Sequence, residues 1–87
     1  MYVIMVYDVN TARVQKVLKT GRRYLTWVQN SVFEGEITEA KLARLIGSLR
    51  KIIDPAEDSV LFYILRTDAY LERRTLGVVK NEPTQFI

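Results

Sequence analysis

The feature that most constrains the fold is an apolar run at the start of the chain. Residues 2–7 read YVIMVY, six apolar or aromatic residues without the polar alternation of a half-buried strand. A strand of this kind is buried on both faces, which requires it to lie inside a sheet. The run ends at Asp8, and no further acidic residue occurs before Glu34. The sequence therefore predicts a central strand with a single carboxylate at its end.

Three later segments also have the composition of strands. Residues 59–66, SVLFYILR, are nearly all apolar and predict a second strand at the centre of the sheet. Segment 27–37, WVQNSVFEGEI, is rich in β-branched and aromatic residues and predicts either one bent strand or two short strands broken at residues 30–31. Residues 72–80, ERRTLGVVK, predict a weaker strand that a glycine interrupts.

Two segments have the periodicity of amphipathic helices. In the first, apolar residues recur on one side over residues 14–25, and Asn10 or Thr11 is the predicted N-cap. In the second, leucines and isoleucines follow helical spacing over residues 42–53, and Thr38 is the predicted N-cap. An Asp-Pro pair follows directly and predicts the end of this helix, because the residue before proline disfavours helical backbone.

Apolar residues on both sides of two strands indicate that the chain associates with another surface. We expect the two helices to cover one face of the sheet, and the predicted elements of this short chain do not supply a cover for the other face. We therefore expect a second copy of the chain to pack sheet against sheet. The C-terminal residues NEPTQFI end in Phe86 and Ile87, which we expect to pack on the partner subunit.

The charge distribution along the first helix indicates a polyanionic partner. Five basic residues and no acidic residue lie between Val9 and Phe33, whereas an ordinary exposed helix interleaves both signs. We expect these cations to bind the phosphate backbone of nucleic acid, RNA or DNA, and the alternative is a solvated helix face. The five residues are Arg13, Lys16, Lys19, Arg22 and Arg23.

Several kinds of chemistry are excluded by composition. The chain has no cysteine and no histidine, which removes disulfides, thiolate metal sites and the commonest general base. Glycine-rich phosphate loops and nucleophile elbows are absent from the sequence. Any catalysis must therefore use carboxylates, hydroxyls, basic side chains or a bound metal. No apolar stretch approaches the roughly 20 residues of a membrane span, and we expect a cytoplasmic protein that contacts no membrane.

Taken together, the motif VYDV at the end of the first strand, the basic helix, WVQNSVFEGEI and SVLFYILR resemble the CRISPR-associated endoribonuclease family. This family is the smaller of the two near-universal proteins of spacer acquisition. The resemblance covers nearly the whole chain, and QNSVFEG is its most specific part. It implies one α+β domain over residues 1–87, with a ferredoxin-like (βαββαβ) antiparallel sheet and two helices on one face. It also implies a C-terminal extension that packs on the partner in a two-fold homodimer.

The resemblance further implies an activity and a site. Members of the family are metal-dependent nucleases on single-stranded RNA or, in some cases, double-stranded DNA, and they bridge dimers of the larger adaptation integrase. The family aspartate corresponds to Asp8, which would face its counterpart across the dimer interface to hold Mg²⁺. The neighbouring family position is Tyr7, the helix-one arginine is Arg13, and the aromatic residue of the Ser-Val-Phe stretch is Phe33.

The chain departs from the family pattern in two places. Many relatives carry further acidic residues where this chain has Asn-Thr-Ala at residues 10–12, and a basic residue where it has Trp27. Because Mg²⁺ prefers six oxygen ligands, one carboxylate is insufficient, whereas two Asp8 side chains, waters and a phosphate oxygen suffice. Three functions stay open: a metal-dependent nuclease, a non-catalytic dimeric scaffold that binds duplex DNA and the integrase, and an unrelated regulatory ferredoxin-like domain in which the aspartate occurs by chance.

Overall fold

The computed structural model describes residues 1–78, which form a four-stranded antiparallel sheet with two helices packed on one face. The elements are β1 (Tyr2–Asp8), α1 (Thr11–Arg22), β2 (Thr26–Gln29), β3 (Val32–Glu36), α2 (Glu39–Arg50) and β4 (Ser59–Leu65). The strand order is β2-β3-β1-β4, which confirms the predicted ferredoxin-like fold. No helix in these residues is long and apolar enough to cross a membrane.

Strand β1 lies inside the sheet, as its apolar sequence predicted. It pairs with β3 on one side and β4 on the other, so that Met5 lies between Phe33 and Phe62. Successive side chains point to opposite faces of a strand. The face under the helices, here called the covered face, includes Val3, Met5, Tyr7, Phe33 and Phe62. The opposite face, here called the open face, includes Tyr2, Ile4, Val6, Asp8, Glu34, Leu61 and Tyr63.

The hydrophobic core lies between the covered face and the two helices. Val17 of α1 and Leu45 of α2 are fully buried against the central strands, as is Phe33 of β3. Helix α1 approaches the sheet closely at Gly21, where an added Cβ would lie 2.9 Å from the Phe33 ring. The absence of a side chain at this position therefore sets the distance between α1 and the sheet.

The structure selects Asn10 of the two predicted N-caps of α1 and confirms Thr38 as the N-cap of α2. The side chain of Asn10 accepts a hydrogen bond from the Ala12 amide at 2.9 Å, and Thr38 Oγ1 accepts one from the Lys41 amide at 3.2 Å. Both helices end earlier than their apolar patterns predicted. Helix α1 ends at Arg22 and α2 at Arg50. The apolar residues beyond each end stay packed against the core in turns, which is why the periodic pattern extends past the helices.

Segment 26–36 forms two strands, which resolves the two alternatives that its composition allowed. The strands β2 and β3 are joined by a tight turn at residues 30–31, and Asn30 has a φ of +39°. Asparagine tolerates this left-handed backbone better than most residues do. The Trp27 indole N–H donates to the Asn30 carbonyl at 3.0 Å, which closes the hairpin.

Two strand predictions were wrong. Among residues 1–78, β4 is an edge strand that pairs with β1, and its residues Leu61 and Tyr63 are each about half exposed. These apolar residues lie on a face that the helices do not cover, and they are not buried between two strands. Residues 72–78 form no strand, and the rest of the predicted 72–80 strand lies outside the described residues, as do Phe86 and Ile87.

Candidate active site and nucleic-acid surface

Asp8 is the last residue of β1 and lies on the open face. The alternation of β1 places its side chain on the same side as Ile4 and Val6, and its backbone is in register with Ser59 of β4. The residue is exposed, and over residues 1–78 its carboxylate has no hydrogen-bond or ion-pair partner. The same residues contain no group of three side chains able to hold a metal ion. One subunit thus presents a single free carboxylate beside an apolar surface.

Tyr7 and Phe33 lie on the opposite side of the sheet from Asp8. Their rings stack with centroids 6.0 Å apart, and Tyr7 is only 4% exposed. Burial raises the pKa of the Tyr7 hydroxyl. The Tyr7 hydroxyl donates a long bond of 3.5 Å to the Asn30 carbonyl. These two residues therefore support the end of β1 from the core and do not contact the Asp8 carboxylate.

Four of the five predicted nucleic-acid-binding cations share one exposed surface. Lys16, Lys19 and Arg22 lie on α1, Arg23 is its C-cap, and all four are exposed. None of them forms an ion pair within the part of the chain that the structure describes. The Arg23 guanidinium lies 5.8 Å from the centre of the Tyr24 ring. This surface belongs to the helix layer, so these four cations and Asp8 lie on different sides of the subunit.

Arg13, the fifth predicted cation, is held by two carboxylates. Its Nε donates to Asp58 Oδ2 at 2.6 Å, and its Nη2 donates to Asp58 Oδ1 at 3.1 Å and to Glu57 Oε2 at 3.0 Å. The hydrogen bonds from Arg13 to Asp58 and Glu57 raise the pKa of its guanidinium above the usual range. The predicted contact of Arg13 with nucleic acid stays a prediction, and its charge is already balanced within the subunit.

Asp58 is the site residue that the sequence did not reveal. Its side chain is fully buried, although it follows the exposed Glu57 in the α2–β4 loop. The hydrogen bonds from Arg13 are the main cause of a pKa well below the usual range of a carboxyl. Arg13 and Asp58 are 45 residues apart, so no local spacing connects them. The nearest signal was the Asp-Pro turn at the end of α2, which predicted a loop but no partner.

The open face carries a polar cluster at the end of the sheet opposite Asp8. The carboxylate of Glu34 accepts a hydrogen bond from the Tyr2 hydroxyl and forms an ion pair with Arg73. Burial and the bond to Glu34 raise the pKa of Tyr2 to about 12. Arg73 follows β4 in the chain, so the segment after β4 crosses this end of the open face. Between this cluster and Asp8 the face is apolar, with Ile4 and Val6 on β1 and with Leu61 and Tyr63 on β4, which are 49% and 55% exposed.

Comparison with known proteins identifies the family. The family model described as CRISPR associated protein Cas2 matches residues 1–73. The chain belongs to the Cas2 family. The protein of Dictyoglomus turgidum named CRISPR-associated endoribonuclease Cas2 is 59% identical over 87 residues, with both chains fully covered. The protein of the same name from Thermotoga maritima is 52% identical over 82 residues, which cover 94% of each chain.

Solved Cas2 structures have the same fold. One crystal structure of a Cas2 protein has a TM-score of 0.87 and 45% identity, and covers 94% of this chain and 92% of its own. The structure of Streptococcus pyogenes Cas2 at pH 6.5 has a TM-score of 0.79 and 38% identity, over 88% of this chain and all of its own. The family resemblance seen in the sequence motifs is thereby confirmed over nearly the whole chain.

Proposed function

We propose that this chain is a nuclease of CRISPR adaptation, with Asp8 as its catalytic carboxylate. The observation that carries the proposal is the exposed Asp8 side chain, unpaired among residues 1–78, at the end of the central strand. Two other carboxylates in or beside the sheet are already engaged, Glu34 of β3 by Arg73 and Asp58, directly before β4, by Arg13. Relatives that are more than half identical carry the name endoribonuclease, which supports the same activity here.

The donor set at Asp8 suits a hard divalent cation such as Mg²⁺. Its carboxylate oxygens are the ligands that Mg²⁺ prefers, and their exposure leaves room for water and phosphate oxygens. When bound, the ion polarises a phosphodiester and lowers the pKa of a coordinated water, which suits a chain without histidine or cysteine. We expect Asp8 of each subunit of a homodimer to contribute one carboxylate to the site.

The homodimer in this proposal forms through the open face. Leu61 and Tyr63 are half exposed there, and contiguous apolar surface of this kind marks an interaction site. Packing two open faces together buries the apolar part of β1 and β4 and brings the two Asp8 side chains to a common interface. The predicted packing of Phe86 and Ile87 on the partner extends the same interface.

Nucleic acid binds through the exposed cations of α1. Lys16, Lys19 and Arg22 lack carboxylate partners within residues 1–78, so their charges are available to phosphates. Such contacts are blind to sequence and weaken with salt, which suits a protein that handles varied spacers. The substrate is single-stranded RNA, double-stranded DNA or both, and the same surfaces serve integration of spacers with the larger adaptation integrase.

A second function, a non-catalytic scaffold for duplex DNA and the integrase, is favoured by one observation. The described residues hold no group of three metal-binding side chains, so the metal site depends wholly on dimer symmetry. In this case the open face and the cations of α1 keep their roles, and Asp8 is dispensable for spacer acquisition.

Substitution of Asp8 by Asn tests the proposed chemistry. Wild type, Asp8→Asn and the control Glu39→Gln, which removes an exposed carboxylate on α2, are compared on single-stranded RNA and duplex DNA, with Mg²⁺ and with chelator. We expect Mg²⁺-dependent cleavage by wild type and the control, and a loss of at least about 100-fold in Asp8→Asn. Equal cleavage by all three proteins contradicts the proposal, and no cleavage by wild type favours the scaffold.

The salt dependence of binding tests the cations. Replacing Lys16, Lys19 and Arg22 by Gln should reduce the slope of log affinity against log salt by about 0.7 to 0.9 for each phosphate that is no longer neutralised. The matched control replaces three exposed cations of α2 and its C-cap, Lys41, Arg44 and Lys51. An unchanged slope in the α1 variant would show that these cations form only a solvated face.

A further inference from the structure

The carboxylate of Asp58 is buried and accepts four hydrogen bonds, although the residue lies in a loop at the surface. Oδ1 accepts from the Asn10 amide at 2.9 Å and from Arg13 Nη2 at 3.1 Å. Oδ2 accepts from Arg13 Nε at 2.6 Å and from the Asp54 amide at 2.8 Å. The four bonds come from the β1–α1 loop, from the first turn of α1 and from the α2–β4 loop. One side chain thus joins three parts of the chain.

Two of these parts, the β1–α1 loop and the α2–β4 loop, adjoin Asp8 along the chain and across the β1–β4 ladder. Asn10 follows Asp8 by two residues and caps α1, and its amide is fixed directly by Asp58. Ser59 lies opposite Asp8 in the β1–β4 ladder and follows Asp58 in the chain. The backbone of Asp8 is therefore held from both sides by elements that meet at the same carboxylate. Among residues 1–78, no other charged side chain bonds to the β1–α1 loop.

Asp58 itself is unsuited to contact substrate or metal. Its side chain is fully buried, and each of its oxygens already accepts two hydrogen bonds. Charge-assisted bonds of this kind are about twice as strong as neutral ones, and they fix geometry as well as adding stability. The bonds of Arg13 to Asp58 likewise use its Nε and Nη2 edge, which a phosphate would otherwise occupy.

We propose that Asp58, together with Arg13, is a positioning residue that fixes the backbone from which the Asp8 side chain projects at the end of β1. The inference rests on the proposed role of Asp8 in cleavage. It gives Arg13 a function through Asp58 rather than through nucleic acid. Displacement of a catalytic group by about 1 Å can cost about 100-fold in rate, so loosening this loop should reduce turnover without reducing affinity for substrate.

The test compares Asp58→Asn with the matched control Asp54→Asn. Both changes remove one carboxylate charge from the same loop, but the Asp54 side chain accepts only the Ala56 amide, a bond that an asparagine oxygen also accepts. In Asp58→Asn, an NH2 group that cannot accept hydrogen bonds replaces one of the two accepting carboxylate oxygens. We expect kcat of Asp58→Asn to fall about 10- to 100-fold with KM within about twofold, and Asp54→Asn to match wild type. The ratio of kcat values is measured at several temperatures, from well below the unfolding range of both proteins up to its start.

Amide hydrogen exchange provides a readout that does not depend on cleavage. Protection of the Asn10 amide should fall about 10-fold or more in Asp58→Asn and stay unchanged in Asp54→Asn. Unchanged Asn10 protection overturns the inference, as does wild-type kcat in a variant that has lost the protection. A kcat loss that disappears on cooling indicates a stability effect only, and also overturns it.

Arg13→Gln serves as a second variant that keeps both backbone bonds to Asp58. We expect a smaller loss of kcat than in Asp58→Asn and an unchanged salt slope of nucleic-acid binding. A reduced slope would place Arg13 among the residues that bind phosphate and overturn its role here. If wild type cleaves neither RNA nor DNA, the proposed function fails, and loss of Asn10 protection in Asp58→Asn still supports Asp58 as the residue that fixes the backbone at Asp8.

Discussion

The two faces of the sheet contain similar residues but differ in what they contact. On the covered face, Val3, Met5 and Phe33 are completely buried by α1 and α2. On the open face, Leu61 and Tyr63 of β4 stay about half exposed, although the strands are apolar on both sides. The difference shows that an apolar run without alternation has two possible causes. In the first, other elements of the same chain cover both faces of the strand. In the second, the chain covers one face and a partner molecule covers the other.

The largest expected effect comes from the covered face. Phe33→Ala leaves a cavity between α1 and the central strands, and should lower the free energy of unfolding by about 3–5 kcal/mol. The control Tyr70→Ala truncates an aromatic residue that is 92% exposed, and should change stability by less than about 0.5 kcal/mol. Urea denaturation of both variants measures the difference. A loss below about 1 kcal/mol for Phe33→Ala would contradict the assignment of this face as the core.

Substitutions on the open face should weaken association of the two subunits more than they lower the stability of the fold. Leu61→Lys introduces a charge into the proposed dimer interface, where an unpaired buried charge costs about 3 kcal/mol or more. We expect the dissociation constant of the homodimer to rise at least about 100-fold, measured by sedimentation. The control Ala43→Lys adds the same charge at an exposed position of α2 and should leave association unchanged. The open-face interface would be contradicted if the wild type were monomeric at micromolar concentration, or if Leu61→Lys left the dissociation constant of the dimer unchanged.

Substitution of two helical glycines tests how closely the helices pack on the covered face. Gly21→Ala places a methyl group 2.9 Å from the Phe33 ring, and should destabilise the fold by about 1–3 kcal/mol through overpacking. Gly47→Ala, in α2, meets no atom within 4 Å and should instead stabilise it by about 0.5–1 kcal/mol because alanine favours helix. Thermal unfolding distinguishes the opposite signs. Equal responses would mean that α1 does not approach the sheet as closely as the structure has it.

The smallest effect concerns one tyrosine on each face of β1. Burial raises the pKa of both Tyr2, on the open face, and Tyr7, on the covered face. A raised pKa means that the neutral hydroxyl is favoured in the folded state, so its contribution is complete below the unfolded value of 10.0 and is lost as pH rises above it. For Tyr2 the loss extends to about pH 12.

We therefore expect Tyr2→Phe and Tyr7→Phe each to lose less stability than wild type between pH 9 and pH 11, roughly the range in which an unfolded tyrosine ionises. Urea denaturation across this range measures the change, and Tyr70→Phe is the exposed control. The same slope in all four proteins would show that neither hydroxyl is stabilised in its neutral form by the fold.

Much of the fold could be predicted from local chemistry. The apolar run of β1 determined a central strand, and Asn10 and Thr38 determined the helix starts, because caps and strand burial depend on neighbouring residues. The break at Asn30 was indicated but not decided, because one bent strand and two short strands have the same composition. Within residues 1–78, β4 lies at the edge of the sheet and not at its centre as predicted, since composition reports apolar surroundings and does not say which element provides them.

The candidate site, like the fold, has features that the sequence predicted and features that only the structure revealed. The sequence by itself determined a lone carboxylate at a strand end and a run of cations without acids, and the exposed Asp8 and Lys16 agree with that pattern. Only the tertiary structure decided that Arg13 pairs with Asp58 and is not a free cation like the other basic residues of α1. The two residues are 45 positions apart and meet only when the start of α1 packs beside the α2–β4 loop. Charge along a helix is visible in a sequence, whereas the partner that neutralises it is a property of the folded chain.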